Sequence, residues 1–419
     1  MGRYLNSSTP YALYQGETNQ PYFVDKSLLL AELFPVLDAG NQHICITRPR
    51  RFGKTIMANM IAAFLSKKVD SDSIFSRLKI TSNLKYKEYR NKYNVISIDF
   101  SKISRSCDSY SDYIGKIETT LIRDLKKEYP QIEVYEDDSA ADVLETIFEE
   151  CNQERFVFVL DEWDFIFHKD FINEENKKQY IQFLSNLLKD RPYVQMTYMT
   201  GILPIAKYSD GSELNMFDEY DMACKEKYSE YFGFLDEEVD QLYDIYKKIT
   251  KNPKILRSEL KEWYDGYLFG NTEIYNPWSV INYFNNNCKP KAFWSRTSGN
   301  EIIGELIRSS DKEVYESLSL LLQGKEVQSI INTDIIYPEV NADSDTIYSF
   351  LLVAGYLRAT SVISEFNDNP ICSLKLPNRE IKSVFQKEIL DNYNTLFNGS
   401  LLRDFELALR TGDTALFTD

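Results

Sequence analysis

The first half of the chain alternates short apolar runs with longer amphipathic stretches. Runs typical of strands cover residues 43–47, 95–100, 155–160 and 194–200. Apolar residues at helical spacing lie between or beside them, over 54–67, 109–128, 140–151 and 180–188. The run at 155–160 is continuously apolar, as a strand buried on both faces requires. Strands separated by helices predict βαβ units and a mostly parallel sheet.

The second half has a different pattern. After about residue 210 the strand rhythm stops, and Asp236 is placed to cap a helix in a mainly helical region. Near the end, a helix, a hairpin and a further helix are expected at 347–354, 356–376 and 379–393, the order of a winged-helix-like module. We therefore expect four segments: an N-terminal lead-in at 1–40 that packs on an α/β domain at 41–215, then a helical domain at 216–330 and a winged-helix-like domain at 331–419.

Composition and charge exclude several classes of partner. The 64 acidic and 48 basic side chains leave a net charge of −16, which repels a phosphate backbone, so nucleic-acid binding is not supported. No apolar stretch reaches about 18 residues, so no membrane span is expected. No secretory signal is visible, and six scattered Cys with only two His indicate thiols in a reducing cytoplasm rather than a zinc site.

The segment 48–55, Arg-Pro-Arg-Arg-Phe-Gly-Lys-Thr, lies between a predicted strand and a predicted helix. A phosphate loop needs a Gly that lets the backbone approach the anion, a Lys that reaches the terminal phosphates and a hydroxyl for Mg²⁺. Gly53, Lys54 and Thr55 supply these groups, but Arg48 stands where the first glycine of the pattern is expected. The alternative is an ordinary surface turn.

Two carboxylates follow the buried strand. Asp161 is placed to hold the water shell of Mg²⁺ beside Thr55, and Glu162 to orient or deprotonate an attacking water. An adjacent Asp–Glu pair after an apolar strand is typical of nucleotide hydrolases with a catalytic Glu. The alternative is a solvated acidic strand end.

Other polar residues complete the candidate site. Thr200 ends the next strand and can sense the γ-phosphate or the water; Thr197 is the fallback, and an ordinary strand-end Thr stays equally open. Arg50 and Arg51 can grip phosphate in place of the missing glycine's backbone, or instead pair with the acidic strand end. Lys207 is a weaker candidate. The aromatic tract 263–269 lacks a basic flank, so core packing is favoured over base stacking.

Seven phrases together resemble the bacterial AAA-ATPase-like domain proteins, over about residues 15–300: Tyr-Phe-Val-Asp-Lys at 22–26 and the segments 48–55, 160–164, 199–204, 214–217, 263–267 and 274–277. That family is similar to the STAND-type P-loop ATPases, in which a winged helix follows the ATPase. The resemblance implies that Gly53, Lys54 and Thr55 bind the phosphates and Mg²⁺, and that Asp161 and Glu162 form the Walker B pair. It also implies that the stretch 23–26, which includes Val24 and Asp25, lies against adenine. Arg50, Arg51 and Phe52 are expected to contact the nucleotide as well. Many relatives carry a C-terminal nuclease-like domain, whose motif we do not find here.

The resulting prediction is an α/β P-loop NTPase with a mostly parallel ASCE-type sheet of order 5-1-4-3-2, in which the strand ending at Thr200 separates the strands before Lys54 and before Asp161. The cofactors expected are ATP and Mg²⁺, and the catalytic residues Glu162, Lys54 and Thr200. The predicted function is a cytoplasmic switch ATPase that hydrolyses ATP slowly to drive a conformational change and contacts a protein partner through its C-terminal regions. The alternative is a nucleotide-binding regulatory or scaffold module without significant turnover. A small-molecule kinase is disfavoured, because no Arg-rich lid follows the sheet.

Overall fold

The computed structural model describes residues 1–103, 107–205, 213–221, 227–250, 257–294, 312–332, 344–366 and 369–396. Lys207 lies outside these ranges. The chain divides into two compact units. Unit 1 comprises Met1–Ile245 and Phe269–Thr272, and unit 2 comprises Tyr246–Leu268 and Glu273–Asp419.

Unit 1 is built on a five-stranded parallel sheet. Its strands are β1 (Gln42–Thr47), β2 (Asn94–Asp99), β3 (Phe156–Asp161), β4 (Val194–Gly201) and β5 (Phe217–Tyr220). The order across the sheet is β2-β3-β4-β1-β5, which reads 5-1-4-3-2 from the β5 edge. The four apolar runs are thus confirmed as strands, and every residue of β3 is buried. β4 lies between β1 and β3, so three strand ends meet at one edge of the sheet.

β5 corrects two expectations. The strand rhythm does not stop after residue 210, because Phe217–Tyr220 pairs in parallel with β1. The sheet therefore extends past residue 215, where the α/β domain was expected to end. The sequence Phe-Asp-Glu-Tyr has no apolar run to reveal a strand, since an edge strand with one packed neighbour does not require one.

Helices cover the sheet of unit 1. They are α1 (Thr9–Thr18), α2 (Leu29–Ala39), α3 (Lys54–Leu65), α4 (Asp72–Phe75), α5 (Tyr86–Tyr89), α6 (Tyr110–Glu128), α7 (Ala140–Glu150), α8 (Glu174–Leu188) and α9 (Asp236–Ile249), which continues past Ile245. Side chains at the N-caps explain where three of them begin: Ser109 caps α6, while Ser139 and Asn173 form capping boxes on α7 and α8. Short 3₁₀ turns occupy Lys79–Ser82, Phe100–Lys102, Trp163–His168 and Ser229–Tyr231.

The N-terminal residues cover the outer edge of the sheet. Leu5 forms an antiparallel bridge with Ile96 in β2. The carboxylate of Asp124 on α6 accepts a hydrogen bond from the backbone N–H of Tyr4, at 2.6 Å. The backbone groups of Val95 and Ser97 in β2 are therefore paired with the N-terminal residues rather than left open to another chain.

Unit 2 contains short helices and a three-stranded antiparallel sheet. Its helices are α10 (Arg257–Tyr264), α11 (Pro277–Asn285), α12 (Lys312–Leu322), α13 (Ser344–Val353) and α14 (Arg379–Leu396). β8 (Val327–Ile330), β9 (Arg358–Phe366) and β10 (Asn369–Lys375) form the sheet in the order β8-β10-β9. The expected helix, hairpin and helix are thus present as α13, β9–β10 and α14. A separate two-stranded sheet joins β6 (Tyr267–Phe269) and β7 (Thr272–Ile274).

Tyr264 and Tyr267 of the aromatic tract are fully buried, which confirms the packing interpretation. Among the described residues, no helix combines the length and the apolar character needed to cross a membrane.

Candidate nucleotide-binding site

The loop between β1 and α3, residues 48–53, leads directly into a helix N-terminus. Gly53 caps α3 with a left-handed backbone, at φ +87°. Any other residue is strained there, although a Cβ would meet no atom within 4 Å. The first N–H groups of α3 have no partner within the helix, so they and the helix dipole favour an anion at this point.

Lys54 is the buried cation of the loop. Its Nζ donates hydrogen bonds to the carbonyl oxygens of Arg48, at 2.8 Å, and Pro49, at 2.9 Å. Burial lowers the pKa of Lys54, and nearby carboxylates, of which Glu162 acts most strongly, oppose that shift. The ammonium is therefore held by two backbone carbonyl oxygens at the start of the loop.

Asp161, the last residue of β3, contacts side chains of α3 and β4. Its buried carboxylate accepts a hydrogen bond at Oδ1 from the hydroxyl of Thr200. The side chain of Thr55 also hydrogen-bonds to it. Burial and the neighbouring Asp99 raise the pKa of Asp161, while both hydroxyls and Lys54 lower it. The geometry thus brings together Thr55, Asp161 and Thr200, which the sequence placed in one site.

Glu162 lies next to Asp161, and its backbone conformation is strained. Its φ is +52°, in the left-handed region, and its N–H points to Oγ1 of Thr200 at 3.4 Å. Such strain costs on the order of 1–3 kcal/mol and concentrates at functional sites. Burial, followed by the charge of Asp161, raises the pKa of the half-buried Glu162 carboxyl. A carboxylate tuned in this way suits proton transfer.

Asp164 is a residue of the site that sequence reasoning did not assign. Its buried Oδ2 accepts hydrogen bonds from the backbone N–H groups of Ile202, at 2.8 Å, and Leu203, at 2.9 Å. These bonds fix the turn that follows Thr200. The signals in the sequence were its position three residues after Asp161 and its place in the segment 160–164, one of those that carry the family resemblance.

Arg50 and Arg51 lie at the surface of the loop. Arg50 is half-buried and Arg51 is exposed, with φ +72°. Partial desolvation of the guanidinium and the charge of Arg50 lower the pKa of Arg51, while Glu162 raises it. Arg51 is therefore within electrostatic reach of Glu162, and phosphate contact stays a prediction for both arginines.

Phe52 and Asp25, which were also predicted to contact the nucleotide, have contacts with other parts of the protein. The ring of Phe52 is fully buried and lies 5.1 Å from that of Phe269, centroid to centroid, so a nucleotide contact at Phe52 would fall to its backbone rather than its ring. The carboxylate of Asp25 accepts hydrogen bonds from the N–H groups of Ser27, at 2.8 Å, and Lys79, at 2.6 Å. The contact of Val24 and Asp25 with adenine stays a prediction.

The donor set decides which metal fits. Across the described ranges, no three His, Cys, Asp or Glu side chains are grouped to hold a metal ion by themselves. Mg²⁺ typically takes one or two protein oxygens, several waters and substrate phosphates. The Thr55 hydroxyl and the Asp161 carboxylate are oxygen donors of that kind. The residues therefore fit Mg²⁺ bound together with a nucleotide, rather than a metal bound alone.

The parallel sheet, the loop that opens α3 and the carboxylates facing it define a P-loop ATPase-like α/β domain. Comparison with known families agrees: residues 15–209 match the AAA-ATPase-like family, described as predicted AAA-ATPase. Over that segment the chain is similar to this family.

Individual relatives are distant. An uncharacterized protein in the vnfD 5′ region of Azotobacter chroococcum mcd 1 is 22% identical over 384 residues, which cover 90% of this chain and 68% of that one. A Walker-type ATPase of Pyrococcus abyssi aligns with 12% identity and a TM-score of 0.45, over 86% of this chain and 94% of its own. The Aeropyrum pernix ORC2 protein, solved in ADPNP–ADP complexes, aligns with 9% identity and a TM-score of 0.38, over 88% and 93%. Because both TM-scores are below 0.5, we base the site on its own geometry.

Proposed function

We propose that the chain is a Mg²⁺-dependent P-loop switch ATPase, which binds ATP at residues 48–55 and hydrolyses it slowly. The observation that supports this most strongly is the meeting of Thr55 and Thr200 on the carboxylate of Asp161, beside the buried Lys54. A Lys, a hydroxyl and an acidic strand end in this arrangement are the parts that nucleotide hydrolysis needs.

Each side chain has a distinct role in this proposal. Lys54 exchanges the carbonyls of Arg48 and Pro49 for the terminal phosphates of ATP. Thr55 and Asp161 hold Mg²⁺, which neutralises phosphate charge when bound. Glu162 accepts the proton of the attacking water, and its raised pKa makes it a stronger base for that step than an ordinary carboxylate.

The hydrogen bonds of Lys54 and the presence of Pro49 in the loop support slow turnover. Lys54 must give up two hydrogen bonds to loop carbonyls before it reaches phosphate. Pro49 has no N–H to donate and a fixed φ, so the loop offers fewer backbone donors than a glycine-rich one. A nucleotide that binds slowly and turns over slowly suits a switch better than a motor.

We propose that the C-terminal part of the chain transmits the conformational change to a partner. The order α13, β9, β10 and α14 supports a winged-helix-like module, as in the STAND-type ATPases that the sequence resembles. We propose a protein partner for it, since the net charge of −16 disfavours nucleic acid. Because ATP is a cytoplasmic metabolite, a cytoplasmic location is part of the same proposal.

Measuring ATP turnover tests the proposal. Wild type should release phosphate only with Mg²⁺, Lys54→Ala should lose binding and turnover, and Glu162→Gln should keep binding but lose turnover. The matched control is Glu149→Gln, an exposed residue on α7, which should behave as wild type. Sub-millimolar ATP binding with low hydrolysis that is insensitive to Glu162→Gln would instead favour the regulatory or scaffold module. Turnover unchanged in both site variants would refute the site.

A further inference from the structure

Arg48 is buried where the phosphate-loop pattern has its first glycine. Its side chain is fully buried, which is unusual for Arg. Burial lowers the pKa of the guanidinium to about 10, so it keeps its charge at neutral pH. A buried charge costs free energy unless its surroundings compensate. The contacts of Arg48 indicate how its buried charge is compensated.

Arg48 donates hydrogen bonds to the last residues of three strands. Its Nη1 donates hydrogen bonds to the carbonyl of Thr47 in β1, at 3.0 Å, and to the carbonyl of Tyr220 in β5, at 2.7 Å. Its backbone N–H donates to the carbonyl of Gly201 in β4, at 3.1 Å. The start of the loop is therefore fixed to β1, β4 and β5 at once.

Aromatic rings hold the other side of the guanidinium. Its carbon lies 4.8 Å from the ring centre of Phe269 and 5.8 Å from that of Phe232. Within the part of the chain that the structure describes, the Nε and Nη2 groups have no hydrogen-bond partner. The faces of the two rings offset part of the free-energy cost of burying the guanidinium through cation–π attraction, which is worth about 2 kcal/mol or more when the pair is desolvated.

The carbonyl of Arg48 is one of the two that hold Lys54. Fixing residue 48 therefore also fixes the direction from which Lys54 is held. A glycine at this position gives a loop its freedom, whereas Arg48 removes that freedom.

We infer that Arg48 is a positioning residue of the nucleotide site: it anchors the start of the loop to three strand ends and so fixes the backbone that holds Lys54 beside the helix N-terminus. This inference rests on the proposed function, because it assigns the purpose of the anchor to ATP binding. It also explains how a phosphate loop without its first glycine keeps a defined shape. Binding gains affinity when the bound geometry is already formed.

The decisive variant is Arg48→Gly, which restores the usual phosphate-loop glycine. If the loop works in the ordinary way, this variant binds ATP as well as wild type or better. If Arg48 is the anchor, the dissociation constant for Mg²⁺-ATP should rise at least about tenfold, since two hydrogen bonds from a charged donor are lost. The turnover number at saturating ATP should stay within about twofold, because a preorganising contact acts on binding and not on the chemical step.

Hydrogen exchange of backbone amides gives a second readout that needs no nucleotide. In Arg48→Gly the amides of residues 47, 48 and 50–54 should exchange at least about tenfold faster than in wild type, because the side chain of Arg48 no longer opposes local opening of the loop. The matched control is Arg77→Gly, in which an exposed arginine with contacts to Thr18 and Asn19 is removed, and it should change neither measurement.

Arg48→Lys keeps the inference testable if Arg48→Gly does not fold. Lysine keeps the charge but cannot reproduce the planar fork, so both measurements should lie between wild type and Arg48→Gly. Wild-type exchange rates and ATP affinity in Arg48→Lys, or undiminished affinity in a folded Arg48→Gly, would overturn the inference. If wild type binds no ATP, the proposed function fails, whereas the exchange rates still decide whether Arg48 anchors the loop.

Discussion

Thr200 donates its hydroxyl hydrogen to Oδ1 of Asp161, and both side chains are buried. The bond joins the ends of β3 and β4, and it holds the carboxylate on the side where Thr55 also bonds to it. We therefore propose that Thr200 acts on the site through Asp161, by positioning that carboxylate, and its direct contact with the γ-phosphate or the water stays a prediction.

Removing this hydroxyl should affect stability and turnover together. Thr200→Val keeps the shape but leaves Asp161 without one donor, which should cost about 1.5–3 kcal/mol of unfolding free energy. ATP turnover should fall, because the carboxylate is no longer held in place. Denaturant unfolding and a phosphate-release assay measure the two effects. Thr200→Ser should recover both, and a Thr200→Val protein with wild-type stability and turnover would contradict the positioning role.

The two surface arginines of the loop should contribute to ATP affinity. A charge-assisted hydrogen bond to phosphate is worth about 1.5–3 kcal/mol, so Arg50→Ala or Arg51→Ala should raise the ATP dissociation constant roughly ten- to a hundredfold. Calorimetric titration measures it, with Arg77→Ala as the control. Shifts below about twofold for both variants would mean that neither arginine contacts phosphate.

Gly201 should not tolerate a side chain. A Cβ there would lie 2.4 Å from two atoms of the buried Trp163 ring, so Gly201→Ala should destabilise the protein by about 1–3 kcal/mol. Gly115 on α6 provides the contrast, because a Cβ there meets nothing within 4 Å. Gly115→Ala should stabilise the helix by roughly 0.5–1 kcal/mol. Equal melting temperatures for the two variants would contradict the packing at Gly201.

Glu380 should make the stability of the protein depend on pH. Its carboxylate is fully buried on α14 and accepts a hydrogen bond from the N–H of Trp294, at 3.0 Å. Burial raises the pKa of this carboxyl from 4.5 to about 7. The folded state therefore holds the proton more tightly than the unfolded state. The unfolding free energy should fall as pH rises from about 4.5 to about 7, by about 3 kcal/mol, and then level off.

Glu380→Gln should remove that dependence. The amide keeps the acceptor for Trp294 and carries no charge, so the variant should be more stable than wild type at pH 8 and similar to it at pH 4.5. Thermal unfolding across this range measures the difference, with Glu149→Gln as the control. A wild type whose stability rises over the same range, with no gain from the substitution, would show that Glu380 is charged at little cost.

The sequence predicted the parts of the fold that depend on local pattern. β3 is apolar throughout because it is buried on both faces, and the helix at Lys54 begins after a glycine whose backbone needs a positive φ. The candidate site was predictable for the same reason: parallel strands end at one edge, so polar residues that follow them come together.

Features that depend on distant partners were not predictable. β5 carries no apolar run and becomes a strand only by pairing with β1, which precedes it by about 170 residues. Arg48 reads as an exposed loop cation until Phe232 and Phe269 are placed over it. Asp164 reads as part of an acidic strand end until the turn at Ile202 and Leu203 supplies its donors.

Titration of Mg²⁺-ATP into wild type and into Lys54→Ala tests the central claim most directly. Lys54 is the cation that the loop holds beside the helix N-terminus, and a bound phosphate should replace the two carbonyls that now hold it. The account predicts sub-millimolar binding to wild type and a loss of at least about tenfold in Lys54→Ala, with the fold retained. Equal affinity in the two proteins, or no binding to a folded wild type, would contradict it.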